Sequence, residues 1–389
     1  MDTSPLFRLC RIPVFTLISL LVLSEGCSHG GKSYSPTGPS PDAMGGNAAP
    51  ANQALSLAKE DGAQSFQVNL VSDVTTITAR RTDMNLLNAW GIAVTPTGIL
   101  WIAANHSSLA VVYDKSGNSL RAPVSIPTTG SSTGGAPSGD VFNPTSGFPV
   151  PGNGLPAKFL FAGEDGIISA WNSGSSAVVA VDRSGADAVY RGIALGWSGG
   201  HARLYATNFK GGTVEIFDEN FNLLSDTKFK DPGIPSDFGP FNIRNIDGKL
   251  FVTFAKHKPP ENADDQSGAG FGYVDVFSPE GKLIRRFASK GALNSPWGLA
   301  EVDGGKGRGG ELILVANFGD GRISVFDTDG KFKGQLQDEK KKPITIQGLW
   351  AITFLDDSEG KHPGSQRLYF TAGPNDETDG IFGFLNIGE

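Results

Sequence analysis

One pattern recurs about six times along this chain. An aromatic-Gly-apolar lead-in is followed by a β-rich run ending in Ala/Thr-Asn or an acidic pair, then by glycine and a second run ending near Asp. The copies span 88–118, 146–176, 190–222, 239–282, 295–331 and 347–385. A repeat of roughly 45–56 residues whose units are strands rather than helices is the mark of propeller blades. The pattern therefore predicts an all-β chain forming a six-bladed β-propeller, and it restricts function to surfaces that such a ring can build.

Composition agrees. The 389 residues include 52 Gly and 25 Phe but only 3 Met, which suits short strands and tight turns. Few stretches hold a 3.6-residue period without Gly or Pro breaking it. A net charge of −7 argues against a nucleic-acid partner, which needs a basic stripe for phosphates. The basic run Lys340-Lys341-Lys342 follows Asp338-Glu339 and reads as a solvated loop.

Both cysteines, Cys10 and Cys27, lie near the N-terminus. Arg8 and Arg11 flank the start of an apolar stretch, 12–23, that is short for a bilayer span and reads as a secretory signal core. Gly26-Cys27 at its end resembles a bacterial lipobox, with Ser24 standing where a large apolar residue is usual. On this reading 1–26 is a signal peptide and Cys27 carries lipid. Simple secretion and an uncleaved anchor are the alternatives. Residues 27–65, rich in Ser, Gly, Pro, Ala and Asn, form a disordered N-terminal tether, because such composition buries too little apolar area to offset ordering entropy. The folded domain is 66–389. The expected location is the cell envelope, as an outer-membrane lipoprotein, or else secreted or periplasmic. The membrane is reached through the lipid anchor only, and the protein is expected to be a monomer.

The last copy supplies three strands and stops at Glu389 before a fourth. The β-rich stretch 66–72 precedes the first copy, and pairing it outside the last blade would close the ring and remove an exposed edge. In a blade's up-down meander, the start of each inner strand shares a face with the end of the second strand. That places Asn88, Trp90, Asn105, His106, Asn143, Glu164, Asp165, Asn208, Asn242, His257, Asn294, Trp297, Asn317, Trp350, Asn375 and Asp376 around one channel mouth, the default ligand site of this architecture.

The asparagines have two readings. Asn tolerates left-handed geometry and caps turns with its own side chain; together they could also bind a polar ligand or cation. Glu164, Asn208, Asn317 and Asp376 are the candidate ligands for Ca²⁺ or another divalent cation, although no EF-hand loop is present. Trp90, Trp297 and Trp350 either pack between blades or form a stacking floor for a flat ligand. His106 and His257 sit on the rim without the clustering a zinc site needs. No nucleophile elbow, phosphate loop or dinucleotide fingerprint is found.

The stretches Asn88-Ala-Trp-Gly-Ile, Gly291-Ala-Leu-Asn-Ser-Pro-Trp-Gly-Leu-Ala, Asn317-Phe-Gly-Asp-Gly-Arg-Ile and Tyr369-Phe-Thr-Ala-Gly-Pro-Asn-Asp-Glu resemble a bacterial family of secreted proteins of unknown function, over about 66–388. That resemblance implies a six-bladed propeller and brings no activity. More distantly the blades are similar to NHL repeats and gluconolactonase-like enzymes, whose cation ligands imply the four metal candidates above. Two functions are therefore expected. The first is an exported binding module capturing a small polar ligand, a glycan or a protein loop at the Asn/Trp-rich face. The second is a metal-dependent hydrolase or lactonase at the same face.

Overall fold

The computed structural model describes residues 66–302, 311–355 and 365–388. The expected signal peptide, the lipidation site at Cys27 and the tether lie outside the described residues. Six blade sheets are arranged around the ring, antiparallel except where Arg81–Thr82 pairs parallel with Gln67–Ser72 at the edge of the last, and the described residues contain no α-helix. The inner strands are Ala89–Val94, Pro137–Phe142, Tyr190–Ser198, Phe238–Ile246, Pro296–Val302 and Leu349–Phe354, and they define blades 1 to 6 in that order. The protein is a six-bladed β-propeller.

Ring closure follows the expected route. Gln67–Ser72 pairs antiparallel with Ile381–Gly388, in the register Gln67 to Leu385 and Ser72 to Ile381, and completes blade 6 from the other end of the chain. Leu70 and Val71 are fully buried there. Each blade hides one sheet face against the next, so the core is a ring of clusters between blades rather than one central nucleus.

One expectation is corrected. The second copy does not start near 146. Its inner strand is Pro137–Phe142, and residues 143–158 form an excursion before the second strand, Phe159–Gly163. The lead-in there reads Pro-Ser-Gly, without the aromatic that marks the other copies, and follows a Gly/Ser/Thr-rich hairpin, Pro127–Thr128 with Ser131–Gly134. Asn143 consequently lies at the end of the inner strand, on the face opposite the mouth. Its amide donates to Gly147 O and Ala157 O.

Every inner strand carries a β-bulge at the same place, against Ala104, Gly163, Asn208, Phe254, Asn317 and Ala372 of the second strands. The unpaired residues at these bulges include Trp90, Ser138, Arg191, Phe241, Trp297 and Trp350. A bulge re-aims a side chain, and here most of them turn toward the channel. The next residue is glycine in four blades, because the neighbouring blade is too close for a side chain. A Cβ on Gly298 would stand 2.5 Å from Trp350 O, and one on Gly91 2.5 Å from Asp140 Oδ1.

Candidate functional site

The aromatic residues at the bulges fill the channel below its mouth. Trp90 stacks on Trp350 with centroids 3.8 Å apart, Trp350 stacks on Phe318 at 3.8 Å, and Trp297 meets both tryptophans edge-on. Phe209 and Phe241 complete the plug. Trp90 and Trp350 are fully buried and Trp297 nearly so. Their rings face one another, as packing between blades requires.

At the bulge of blade 3 the residue is arginine. Arg191 is 3% exposed, its Nη1 is 2.7 Å from Glu164 Oε1, and its Nη2 is 2.6 Å from Asp264 Oδ1. Nη2 also donates to Ala263 O, and the guanidinium lies 5.2 Å from the Trp90 ring centroid. Burial acts to lower the Arg191 pKa, but the attraction of Glu164 and Asp264 outweighs it and leaves the group firmly charged. Removing such a cation from water is tolerable only with close counter-ions.

Blades 2, 4 and 6 supply the acids around this arginine, Glu164, Asp264 with Asp265, and Glu377, and blade 1 supplies amides that hold two of them. Asn105, closing the second strand of blade 1, donates to Glu164 Oε2 at 2.8 Å. Asn88 accepts from Trp350 Nε1 at 3.0 Å and donates to Glu377 Oε2 at 2.6 Å. Glu377 ends three successive left-handed residues, Asn375, Asp376 and Glu377, with φ of 56°, 54° and 64°. This conformation costs an L-residue roughly 1–2 kcal/mol each. Burial first, then the negative charge of Glu164, pushes the Glu377 carboxyl up to about 7, against the hydrogen bond from Asn88. Asp265 is raised by the same burial, with the nearby Ser295 hydroxyl and the charge of Arg191 opposing it. Four buried polar atoms around the mouth lack a hydrogen-bond partner: Asn105 Oδ1, Arg191 Nε, Trp90 Nε1 and Asp265 Oδ2.

The remaining predicted residues serve other ends. Asn208 accepts from Val189 N and Gly211 N and donates to Glu215, while Asn317 accepts from Asn294 N and donates to Ala292 O. Asn294 accepts from Gly268 N. Asn208, Asn294 and Asn317 thus spend their oxygens on backbone N–H groups, mostly of adjoining loops, rather than presenting them to the channel mouth. Asn242 lies deeper, its amide donating to Trp297 O across the blade 4–5 seam. His257 places Nε2 2.8 Å from Phe209 O. His106, Asn375 and Asp376 are exposed, and Asn375 bonds Asp379.

Sequence reasoning missed Arg191, Glu377, Asp264 and Asp265. Arg191 had a signal: aligning the copies on the inner glycine puts Tyr-Arg-Gly against Ala-Trp-Gly and Pro-Trp-Gly. Nothing in the pattern marks Glu377, which depends on an irregular turn.

The fold and mouth together define a six-bladed β-propeller whose channel is plugged by aromatic rings beneath a buried arginine and its carboxylates. The chain belongs to the family of two uncharacterized proteins of Acanthamoeba polyphaga mimivirus. To protein R648 it is 32% identical over 336 residues, covering 82% of this chain and 80% of the relative. To protein L690 it is 31% identical over 335 residues, covering 82% and 85%. No family model matches the chain. Solved structures are more distant. Streptogramin B lyase has a TM-score of 0.47 at 14% identity, over 83% of this chain and 97% of that one. A protein of unknown function from Bacteroides thetaiotaomicron has a TM-score of 0.49 at 12% identity, over 77% and 70%.

Proposed function

We propose that the protein is an exported binding module whose channel mouth captures a small ligand carrying an ammonium or similar cationic group. One observation carries this reading. Four carboxylates, Glu164, Asp264, Asp265 and Glu377, gather around the single guanidinium of Arg191. Glu164 and Asp264 occupy that guanidinium, so Glu377 is left with a hydrogen bond from Asn88 and no cation in contact. A ligand's ammonium supplies the missing counter-charge. The left-handed turn at 375–377 supports the same reading, since strained backbone persists where it places a working side chain. Asp264, two-thirds exposed, offers the ligand a solvent-facing first contact.

Export rests on Arg8, Arg11 and the apolar run 12–23, and lipid attachment on Cys27. The bacterial secreted family that the motifs resemble fits this assignment. Labelled palmitate should enter the wild-type protein and fail to enter Cys27→Ala.

The binding claim is tested by calorimetric titration with spermidine at pH 8, where Glu377 is ionised. Wild type should bind, and Glu164→Gln with Glu377→Gln should weaken binding at least about tenfold, the equivalent of ~1.4 kcal/mol. Equal binding by wild type and the double variant, or none by wild type, would refute it.

A further inference from the structure

Beyond the aromatic plug the channel opens again. All six inner strands surround a cavity of about 480 Å³ on the side away from the mouth, with Trp297 near the plug and Val94, Pro96 and Phe354 toward its open end. The repeat supplies an internal comparison of its wall. Counting from the inner-glycine position, the next residue is Ile92, Ile193, Ile243, Leu299 or Ile352 in five blades, and Asp140 in blade 2. One residue further on it is Ala93, Val141, Ala194, Ala300 or Thr353 in five blades, and Arg244 in blade 4. Two positions that elsewhere carry aliphatic or small side chains thus carry opposite charges, and both residues line the cavity.

Neither group is satisfied as a structural ion would be. Arg244 Nη1 donates to Leu299 O at 2.7 Å and Ile352 O at 3.1 Å, and Nη2 donates to Thr353 Oγ1 at 3.2 Å. No carboxylate of the described residues lies within ion-pair distance of Arg244; Glu301 acts on it only through space. Asp140 is buried, and its carboxyl meets only the backbone N–H groups of Ala93 and of Asp140 itself, neither in good hydrogen-bond geometry, with no side-chain donor. Holding a largely enclosed cation without an anion, and a buried carboxyl on weak backbone contacts alone, is unfavourable, and an aliphatic pair would avoid it. Backbone carbonyls fix the Arg244 guanidinium in place, so it meets an incoming anion already oriented. Burial holds the Asp140 carboxyl well above its ordinary range, so the empty cavity does not set a second negative charge against that anion.

We propose that the cavity is a second binding site, taking a small hydroxy- or amino-carboxylate with its carboxylate on Arg244 and its hydroxyl or amine beside Asp140. The site is separate from the mouth: the plug of Trp90, Trp297 and Trp350 stands between them. Recognition is by charge at one end and hydrogen bonding at the other, within an otherwise apolar wall, the usual composition of a small-molecule pocket.

The test is calorimetric titration of the purified protein with malate, glutamate, succinate and the uncharged succinamide. Malate or glutamate should bind one per chain, at least about tenfold tighter than succinamide, and Arg244→Gln should remove that preference. Asp140→Asn should leave succinate unchanged and weaken malate or glutamate. Arg244 also ties blades 4, 5 and 6, so Val94→Trp, which narrows the open end and leaves the guanidinium untouched, must abolish the same binding if Arg244→Gln does not fold. Glu377→Gln should have no effect on any of these titrations. Absence of carboxylate binding at millimolar concentration would overturn the proposal, as would binding indifferent to Val94→Trp and to any folded Arg244→Gln.

Discussion

Trp90 and Trp350 stack at 3.8 Å with an interplanar angle of 18°, joining the first blade to the last inside the channel. The same seam carries Asn88, which accepts from Trp350 and donates to Glu377. Packing that closes the ring is therefore also the support that aims an acid at the mouth. Trp350→Ala should cost about 3–5 kcal/mol, the range for truncating a fully buried aromatic. Urea unfolding checks it; a loss below about 1 kcal/mol would mean that the stack does not bind the blades.

Removal of residues 66–72 should be worse than a point change. It exposes the outer edge of Ile381–Gly388 and deletes Leu70 and Val71 from the blade 6–1 core. The expected outcome is aggregation or loss of a single cooperative transition, since a free edge invites pairing with other chains. Light scattering and calorimetry of the truncated protein test this, and an unchanged melting profile would contradict it.

Asp376 holds φ at 54° and is exposed. Asp376→Gly relieves that backbone and should stabilise the protein by up to about 1 kcal/mol, offset in part by glycine's greater freedom when unfolded. Spermidine binding should survive the change. Loss of binding would show that Asp376, rather than Glu377, is the working residue of the turn.

Stability should fall with rising pH near the mouth. The folded protein holds the Glu377 proton up to about 7, whereas the ordinary value is 4.5. Between those values the folded state binds more protons than the unfolded state, so stability is greatest below about 4.5 and declines as pH rises to 7. Asp275, which burial also pushes to about 7 despite Arg286 beside it, adds a decline of the same sign. Urea midpoints at pH 5 and pH 8 should therefore differ less in Glu377→Gln than in wild type. Equal differences would remove Glu377 as the source.

The blade pattern made most of the fold legible. Strand runs such as Leu204-Tyr-Ala-Thr and Leu312-Ile-Leu-Val-Ala declare themselves through β-branched and aromatic residues, and the missing last strand pointed to 66–72. Blade 2 was misplaced because Pro137-Ser-Gly lacks the aromatic of Ala89-Trp-Gly and long loops flank its strand. The site was less legible for a different reason. Asparagines recur at the rim because their amides tie the backbone of neighbouring loops together, as Asn208 and Asn317 illustrate, so repetition marked structure. Both proposed sites fall where the repeat is broken: Arg191 at a tryptophan position, Asp140 among isoleucines, Arg244 among small residues. Glu377 could not be read at all, since only a left-handed turn brings it inward.

The most direct test of the account is the carboxyl carbon resonance of Glu377, followed by NMR as pH is varied with and without spermidine. The account predicts an apparent pKa near 7 in the free protein, falling toward the ordinary glutamate range when the cation is bound. An ordinary value in the free protein, or a titration that spermidine leaves unmoved, would contradict it.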